Sequence, residues 1–144
     1  MDKTIIVADD SKIMQTIIES ALSSDFNILK ANDGKEAIDM ISTNNNIVGM
    51  LLDLNMPEYD GFTTLEYFKE NKLFRQIPVS IISGDNTKDT IEKAFTYDIV
   101  DMLNKPFSTE NIKMAIEKME AFKIIYIGGS IKISSRVFYY WYEF

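Results

Sequence analysis

IVGMLLDLNMPEYDGF, residues 47–62, decides how this chain folds. Ile47 to Leu52 carry no charge, and a short run of continuous apolar character is that of a strand buried on both faces. Asp53 follows at once, then Leu54, Asn55, Met56 and Pro57. A carboxylate at the end of so apolar a strand is costly to bury unless its charge is offset. The stretch therefore predicts a strand whose C-terminal end opens onto a polar site.

Working outward, apolar runs and helical patterns alternate along the chain. Thr4–Ala8, Phe26–Ala31, Pro78–Ile82 and Val100–Leu103 read as four further strands. Between them, Ser11 can cap a helix to about Ser23 with Ile13, Ile17, Ile18, Ala21 and Leu22 on one face. Lys35–Ser42, Gly61–Lys72 and Thr87–Tyr97 are helical by spacing, through Ala37/Ile38/Ile41, Phe62/Leu65/Phe68 and Ile91/Ala94/Phe95. Ser108 or Thr109 can start a last helix with Ile112, Ala115, Ile116 and Met119 inward. Asp33-Gly34 and Asp60-Gly61 read as turns. Five strand–helix units in this order predict a doubly wound α/β fold, a five-stranded parallel sheet covered on both faces, with its ligand site beyond the C-terminal strand ends.

Composition narrows the chemistry. The chain has 144 residues, no histidine and no cysteine. Imidazole and thiolate ligands, Ser–His and Cys–His nucleophiles, disulfides and an internal phosphohistidine are excluded. A metal held here needs oxygen ligands, which favours a hard ion such as Mg²⁺. The net charge of −7 argues against direct nucleic-acid binding. The first residues lack the pattern of an export signal, and no stretch is apolar over the length of a membrane span. A cytoplasmic protein that does not bind the membrane is the expectation.

The polar residues at the strand ends are Asp9 and Asp10, Asp53 and Asn55, Ser83, Gly84 and Asp85, and Lys105 with Pro106. The fold would bring them to one rim. Three carboxylates, a hydroxyl and an ammonium suit a hard cation and a phosphoryl group. Each block alone has a plainer meaning: a helix cap, a turn, a solvated lysine. Their conjunction on one rim sets those meanings aside.

At these blocks, Asp9-Asp10, DLNMPEYDG (Asp53–Gly61), Ser83-Gly84 and Lys105-Pro106-Phe107, the sequence resembles the CheY-like receiver domain of two-component response regulators over about residues 3–122. The resemblance implies a flavodoxin-like (βα)5 sheet of order 2-1-3-4-5. It implies Asp53 as phosphoacceptor, and Asp9, Asp10, Asp53 and the backbone carbonyl of Asn55 as Mg²⁺ ligands. Ser83 would be the switch hydroxyl, Gly84 would leave room for the phosphoryl group, and Lys105 would pair with a phosphoryl oxygen. A cis Lys105–Pro106 bond is also implied. Two positions depart from the family: Met102 stands where an aromatic switch residue is usual, and Asp98 where a glycine usually follows the fourth helix. The resemblance implies a signalling module rather than a free-standing enzyme, phosphorylated by a histidine kinase or phosphotransfer protein and acting on a downstream protein. Two alternatives stand beside it. One is a phosphorylation-independent dimerisation module; the other is a haloacid-dehalogenase-type phosphohydrolase, whose order of acidic residues differs.

Residues 123–144 match nothing in that family. Seven of the 17 aromatics fall in the last 21 residues, and IIYI-GGS-IKIS reads as two strands about a turn. The expectation is a receiver domain at 1–122 with a strand-forming extension at 123–144. The extension could pack on its own domain, pair with a second copy, or begin a further domain; a homodimer through it is favoured.

Overall fold

The computed structural model describes residues 2–127, with the side chains of 123–127 set aside. The strands are β1 (Thr4–Ala8), β2 (Asn27–Ala31), β3 (Ile47–Asp53), β4 (Val79–Ser83) and β5 (Asp101–Asn104). They alternate with α1 (Lys12–Leu22), α2 (Gly34–Thr43), α3 (Gly61–Glu70), α4 (Lys88–Ala94) and α5 (Thr109–Ile127). All strand pairs are parallel, in the order β2-β1-β3-β4-β5. The flavodoxin-like arrangement expected from the sequence is therefore the one observed. β1 and β4 are buried at every residue, as continuous apolar runs require.

Side chains alternate across the sheet. Ile6, Ala8, Leu52 and Ile81 pack with Ala37, Leu65, Phe68 and Ala94 of α2, α3 and α4. Ile5, Val7, Leu51 and Ile82 pack with Ile18, Leu22, Ile112, Ile116 and Met119 of α1 and α5. The chain leaves β1 in one direction to make β2 and in the other to make β3. This reversal opens a crevice beyond the ends of β1 and β3, the place where such sheets bind ligands.

Caps fix where each helix begins. Ser11, Asp33, Asp60 and Thr87 each accept a hydrogen bond from the backbone N–H three residues on. Ser108 accepts from Asn111 N at 3.1 Å while Asn111 Oδ1 accepts from Ser108 N at 3.0 Å, a reciprocal cap on α5. Asp33 and Asp60 are thus more than turn residues. Gly61 is demanded by packing: a Cβ there would strike the backbone of Asp53 and Leu54. α3 therefore starts directly against the end of β3.

Several sequence expectations shift. β3, β4 and β5 each run one residue further than predicted, to Asp53, Ser83 and Asn104. The ladder of backbone hydrogen bonds continues past the last apolar side chain. On α1 the buried residues are Gln15, Ile18 and Leu22, whereas Ile13 and Ile17 are exposed at 74% and 45%. The helix is rotated so that Gln15, not Ile13, faces the sheet. α4 ends at Ala94, short of the predicted Tyr97, and Phe95 is exposed. With Asp98 in place of a glycine no left-handed cap forms; positive φ occurs only at Asn46, Glu58 and Lys72 among the described non-glycine residues. The helix closes instead in tight turns, Thr96 N to Lys93 O and Tyr97 N to Ala94 O. Residues 124–127, predicted as a strand, are the last turn of α5. No glycine or proline stands between Ser108 and Gly128 to stop that helix, and propagation costs less than starting a new element. The rest of the extension, with the homodimer expected of it, lies outside the described residues.

Asp101 and Lys118 form an ion pair of 3.0 Å between β5 and α5, with side chains only 4% and 3% exposed. Removing one partner would leave a buried charge uncompensated. Lys118→Met alone should cost about 3 kcal/mol of stability in urea unfolding, with much of the loss recovered when Asp101→Asn is added. Lys72 ends α3 in a left-handed conformation (φ 55°), with Leu73 N donating to Phe68 O and Lys72 N to Lys69 O, a C-terminal cap that favours glycine. Relief of a strain of about 1–2 kcal/mol outweighs the added freedom of glycine in the unfolded chain. Lys72→Gly should raise the urea midpoint, with a net gain of about 0.5–1 kcal/mol.

Candidate functional site

Asp9 leaves the end of β1 fully buried. Its N–H donates to Ala31 O of β2 at 3.0 Å. Its carbonyl accepts from Gln15 Nε2 at 2.6 Å. Its Oδ1 accepts from Ser11 N at 2.8 Å, and its Oδ2 from Lys105 Nζ at 2.9 Å. Asp10 follows it and is exposed.

Asp53 is the last residue of β3, one position beyond Leu52, which pairs with Ala8 in register. It is 3% exposed. Its Oδ1 accepts from Asn55 N at 3.2 Å, and Lys105 Nζ lies 3.4 Å from its Oδ2. Carboxylate oxygens of Asp9, Asp10 and Asp53 all lie within 4.8 Å of one another. The charge at the end of β3 is thus one of three, with a single ammonium bonded between two of them.

Burial raises the Asp53 pKa above the ordinary aspartate value, and the charge of Asp9 raises it further; Lys105 and the Asn55 N–H only partly oppose this. Burial acts against the Lys105 charge, but its hydrogen bond to Asp9 and the fields of Asp53 and Asp9 outweigh it, so its pKa is raised. Lys105 therefore stays an ammonium at neutral pH while Asp53 is under-compensated. Three clustered carboxylates suit an oxygen-coordinated divalent ion, which would supply the missing positive charge. On donor chemistry the residues fit Mg²⁺.

Ser83 ends β4, fully buried. Its backbone carbonyl accepts from Lys105 N at 2.8 Å, which ties it to the lysine. Its hydroxyl is engaged with Asp85, donating to the carbonyl at 3.2 Å and accepting from the N–H at 3.0 Å. Asp85 in turn accepts from Thr87 N at 2.9 Å and Thr90 Oγ1 at 2.8 Å. The Thr87 N–H, followed by the Thr90 and Thr87 hydroxyls, holds its carboxyl below the usual range. A hydrogen-bonded chain thus runs from Ser83 into the first turn of α4. A Cβ on Gly84 would meet nothing within 4 Å, so the rim is open there. Asn55 is exposed, and Met102 packs half-buried against the core on the α2–α4 face. The Lys105–Pro106 bond is cis, as the resemblance implied.

The structure thus gathers Asp9, Asp10, Asp53 and Lys105 at one point and ties Ser83 to Lys105 through the backbone. Gln15 is the site neighbour that sequence patterning missed. Only its place on the stripe of Ile18 and Leu22, at i+3 and i+7, hinted that it faces inward.

Comparison with known proteins gives one family. A model of the response regulator receiver domain matches residues 5–117. A two-component response regulator of rice, ORR5 of Oryza sativa subsp. japonica, is 28% identical over 109 residues, covering 75% of this chain and 81% of the relative. A chemotaxis protein CheY homolog of Campylobacter jejuni is 26% identical over 115 residues, covering 78% of this chain and 88% of the relative. Among solved structures, a CheY-like receiver domain protein from Methanospirillum hungatei superposes with a TM-score of 0.72 at 25% identity, covering 86% and 99% of the two chains. Chemotaxis protein CheY4 of Vibrio cholerae gives 0.74 at 18% identity, covering 83% and 99%, and supports the fold alone.

The raised pKa of Asp53 fixes a sign. Its charged form is disfavoured in the folded state, so the metal-free protein loses stability as pH rises above the unfolded aspartate value and through the folded one. Asp53→Asn removes that charge. Its melting temperature in chelator at neutral pH should exceed that of the wild type, and the gap should close on acidification or on adding Mg²⁺. A variant that melts at or below wild type in chelator would contradict the electrostatic account.

Proposed function

The chain belongs to the response regulator receiver domain family, and from that premise we propose that it is a signalling switch set by phosphorylation of Asp53. Receiver domains are switches rather than free-standing enzymes, and this one is read as acting in the cytoplasm. The observation that carries the reading is the buried Asp53 carboxylate, flanked by Asp9 and Asp10 within 4.8 Å and by Lys105 at 3.4 Å.

The chain contains no histidine, so the phosphoryl group comes from a partner histidine kinase or phosphotransfer protein. An Asp53 oxygen attacks phosphorus, the P–N bond to the donor imidazole breaks, and the imidazole leaves with its electron pair and takes up a proton from solvent. Asp9, Asp10, Asp53 and the Asn55 carbonyl would hold Mg²⁺, which would supply charge neutralisation for the phosphoryl oxygens. Lys105, already bonded to Asp9, meets one phosphoryl oxygen. The exposed Ile13 and Ile17 of α1 follow closely on Asp10 and offer the donor protein an apolar contact beside the rim.

The output follows from Ser83. Turning its hydroxyl to a phosphoryl oxygen breaks its bonds to Asp85 and loosens the start of α4, shifting the population of the α4–β5–α5 surface that a downstream protein reads. Half-buried Met102 repacks as α4 moves, in place of an aromatic residue.

Incubation with acetyl phosphate and Mg²⁺, followed by intact mass measurement, tests this. Wild type should gain one phosphoryl group, Asp53→Asn none, and chelator should abolish labelling. Equal labelling of wild type and Asp53→Asn would refute the assignment.

A further inference from the structure

We infer that Gln15 is a positioning residue for the paired carboxylates Asp9 and Asp10, setting the direction in which they meet Mg²⁺. The inference rests on the metal-dependent reading of the site.

Gln15 is 2% exposed and occupies the inward stripe of α1, where Ile18 and Leu22 are its buried companions. A carboxamide is costly to bury there unless its polar atoms are used. Its Nε2 donates to Asp9 O at 2.6 Å, with Asn32 Oδ1 at 3.1 Å and Ala31 O at 3.4 Å. One amide therefore ties α1 to the ends of both β1 and β2. Asn32 Oδ1 is held from the other side by Lys12 Nζ at 2.8 Å, so the amide has a fixed anchor as well as a target.

The target matters because the Asp9 carbonyl belongs to the peptide unit that joins Asp9 to Asp10. That unit is planar, so gripping its oxygen fixes both the ψ of Asp9 and the entry of the chain into Asp10. Asp9 has other restraints, from Ser11 N and Lys105 Nζ. The Asp10 carboxylate has no hydrogen bond or ion pair with any described residue. Its approach to Asp9 and Asp53 is set by the backbone on either side of it, which the Asp9 carboxylate holds at the Ser11 N–H and Gln15 holds at the Asp9 carbonyl.

A role limited to sealing the sheet end would affect stability and leave metal affinity unchanged. Titration calorimetry of MgCl2 into the full chain separates the two. Gln15→Met, which keeps length and bulk but not the donor, should weaken Mg²⁺ binding about tenfold. Asn32→Ala, at a half-exposed position, removes the anchor and should give a smaller loss in the same direction. Ile18→Val loosens the same helix without touching Asp9 and should leave the affinity at the wild-type value. The Mg²⁺ concentration for half-maximal acetyl phosphate labelling should rise in Gln15→Met by the same factor, with the rate at saturation kept. Folded Gln15→Met that binds Mg²⁺ as tightly as wild type overturns the inference and leaves Asp53 as phosphoacceptor intact. If Gln15→Met does not fold, unchanged affinity in Asn32→Ala overturns it. A wild-type chain that does not bind Mg²⁺ overturns both this inference and the metal-dependent reading.

Discussion

Mutual repulsion of three carboxylates at the open end of a parallel sheet is the constraint on which the rest of this structure turns. Two unit charges at the observed 4.8 Å limit repel by about 3–4 kcal/mol at an effective dielectric near 20. Lys105, bonded to Asp9 and 3.4 Å from Asp53, answers one charge of the three. The fold spends several devices on holding this unfavourable cluster in place. β1 and β3 are adjacent strands buried along almost their whole length. Gly61 lets α3 begin against the Asp53 backbone, and the Lys105 backbone is pinned to Ser83. Strain of this kind, kept at one end of an otherwise apolar sheet, is what a site prepared for a cation and a phosphoryl group requires.

The same constraint explains what could be read from the sequence. Asp9, Asp53, Ser83 and Lys105 stand out because each interrupts or ends an apolar run, and parallel topology places all such ends on one edge. A parallel sheet covered on both faces follows from continuous runs alternating with helical spacing, whereas the strand order comes with the family resemblance. The strands run one residue past their apolar runs, to Asp53, Ser83 and Asn104, since side-chain polarity changes before the backbone ladder stops. Hydrophobicity alone places Ile13 and Ile17 inward, whereas the structure exposes both. Helical rotation is settled by tertiary contact, here by Gln15 beneath the Asp9 carbonyl. The run Ile124–Ile127 shows the opposite conflict between local pattern and outcome. β-branched composition favours a strand, but a helix already nucleated and capped at Ser108 carries it onward.

How a change at Asp53 would leave the site turns on α4. That helix has only seven residues, too few to be stable by itself, so its position is set by what grips it. At its start, Asp85 accepts from Thr87 and Thr90 while bonding Ser83 through its backbone. Just past its end, the Tyr97 hydroxyl donates to Glu66 of α3 at 2.8 Å, and its ring lies 6.5 Å from Phe62. Lys93 Nζ sits 4.1 Å over the Phe62 ring. One end of α4 is therefore tied to the hydroxyl at the site. The other is tied to the helix that begins against the Asp53 backbone. For a switch set at Asp53, losing the Ser83 tie releases the start of α4 while Tyr97 and Lys93 keep its end on α3, so the helix pivots rather than detaches. A pivot needs no aromatic side chain turning inward at position 102. The unbranched, half-buried Met102 only has to accommodate the change in packing, which its flexible thioether does at little cost.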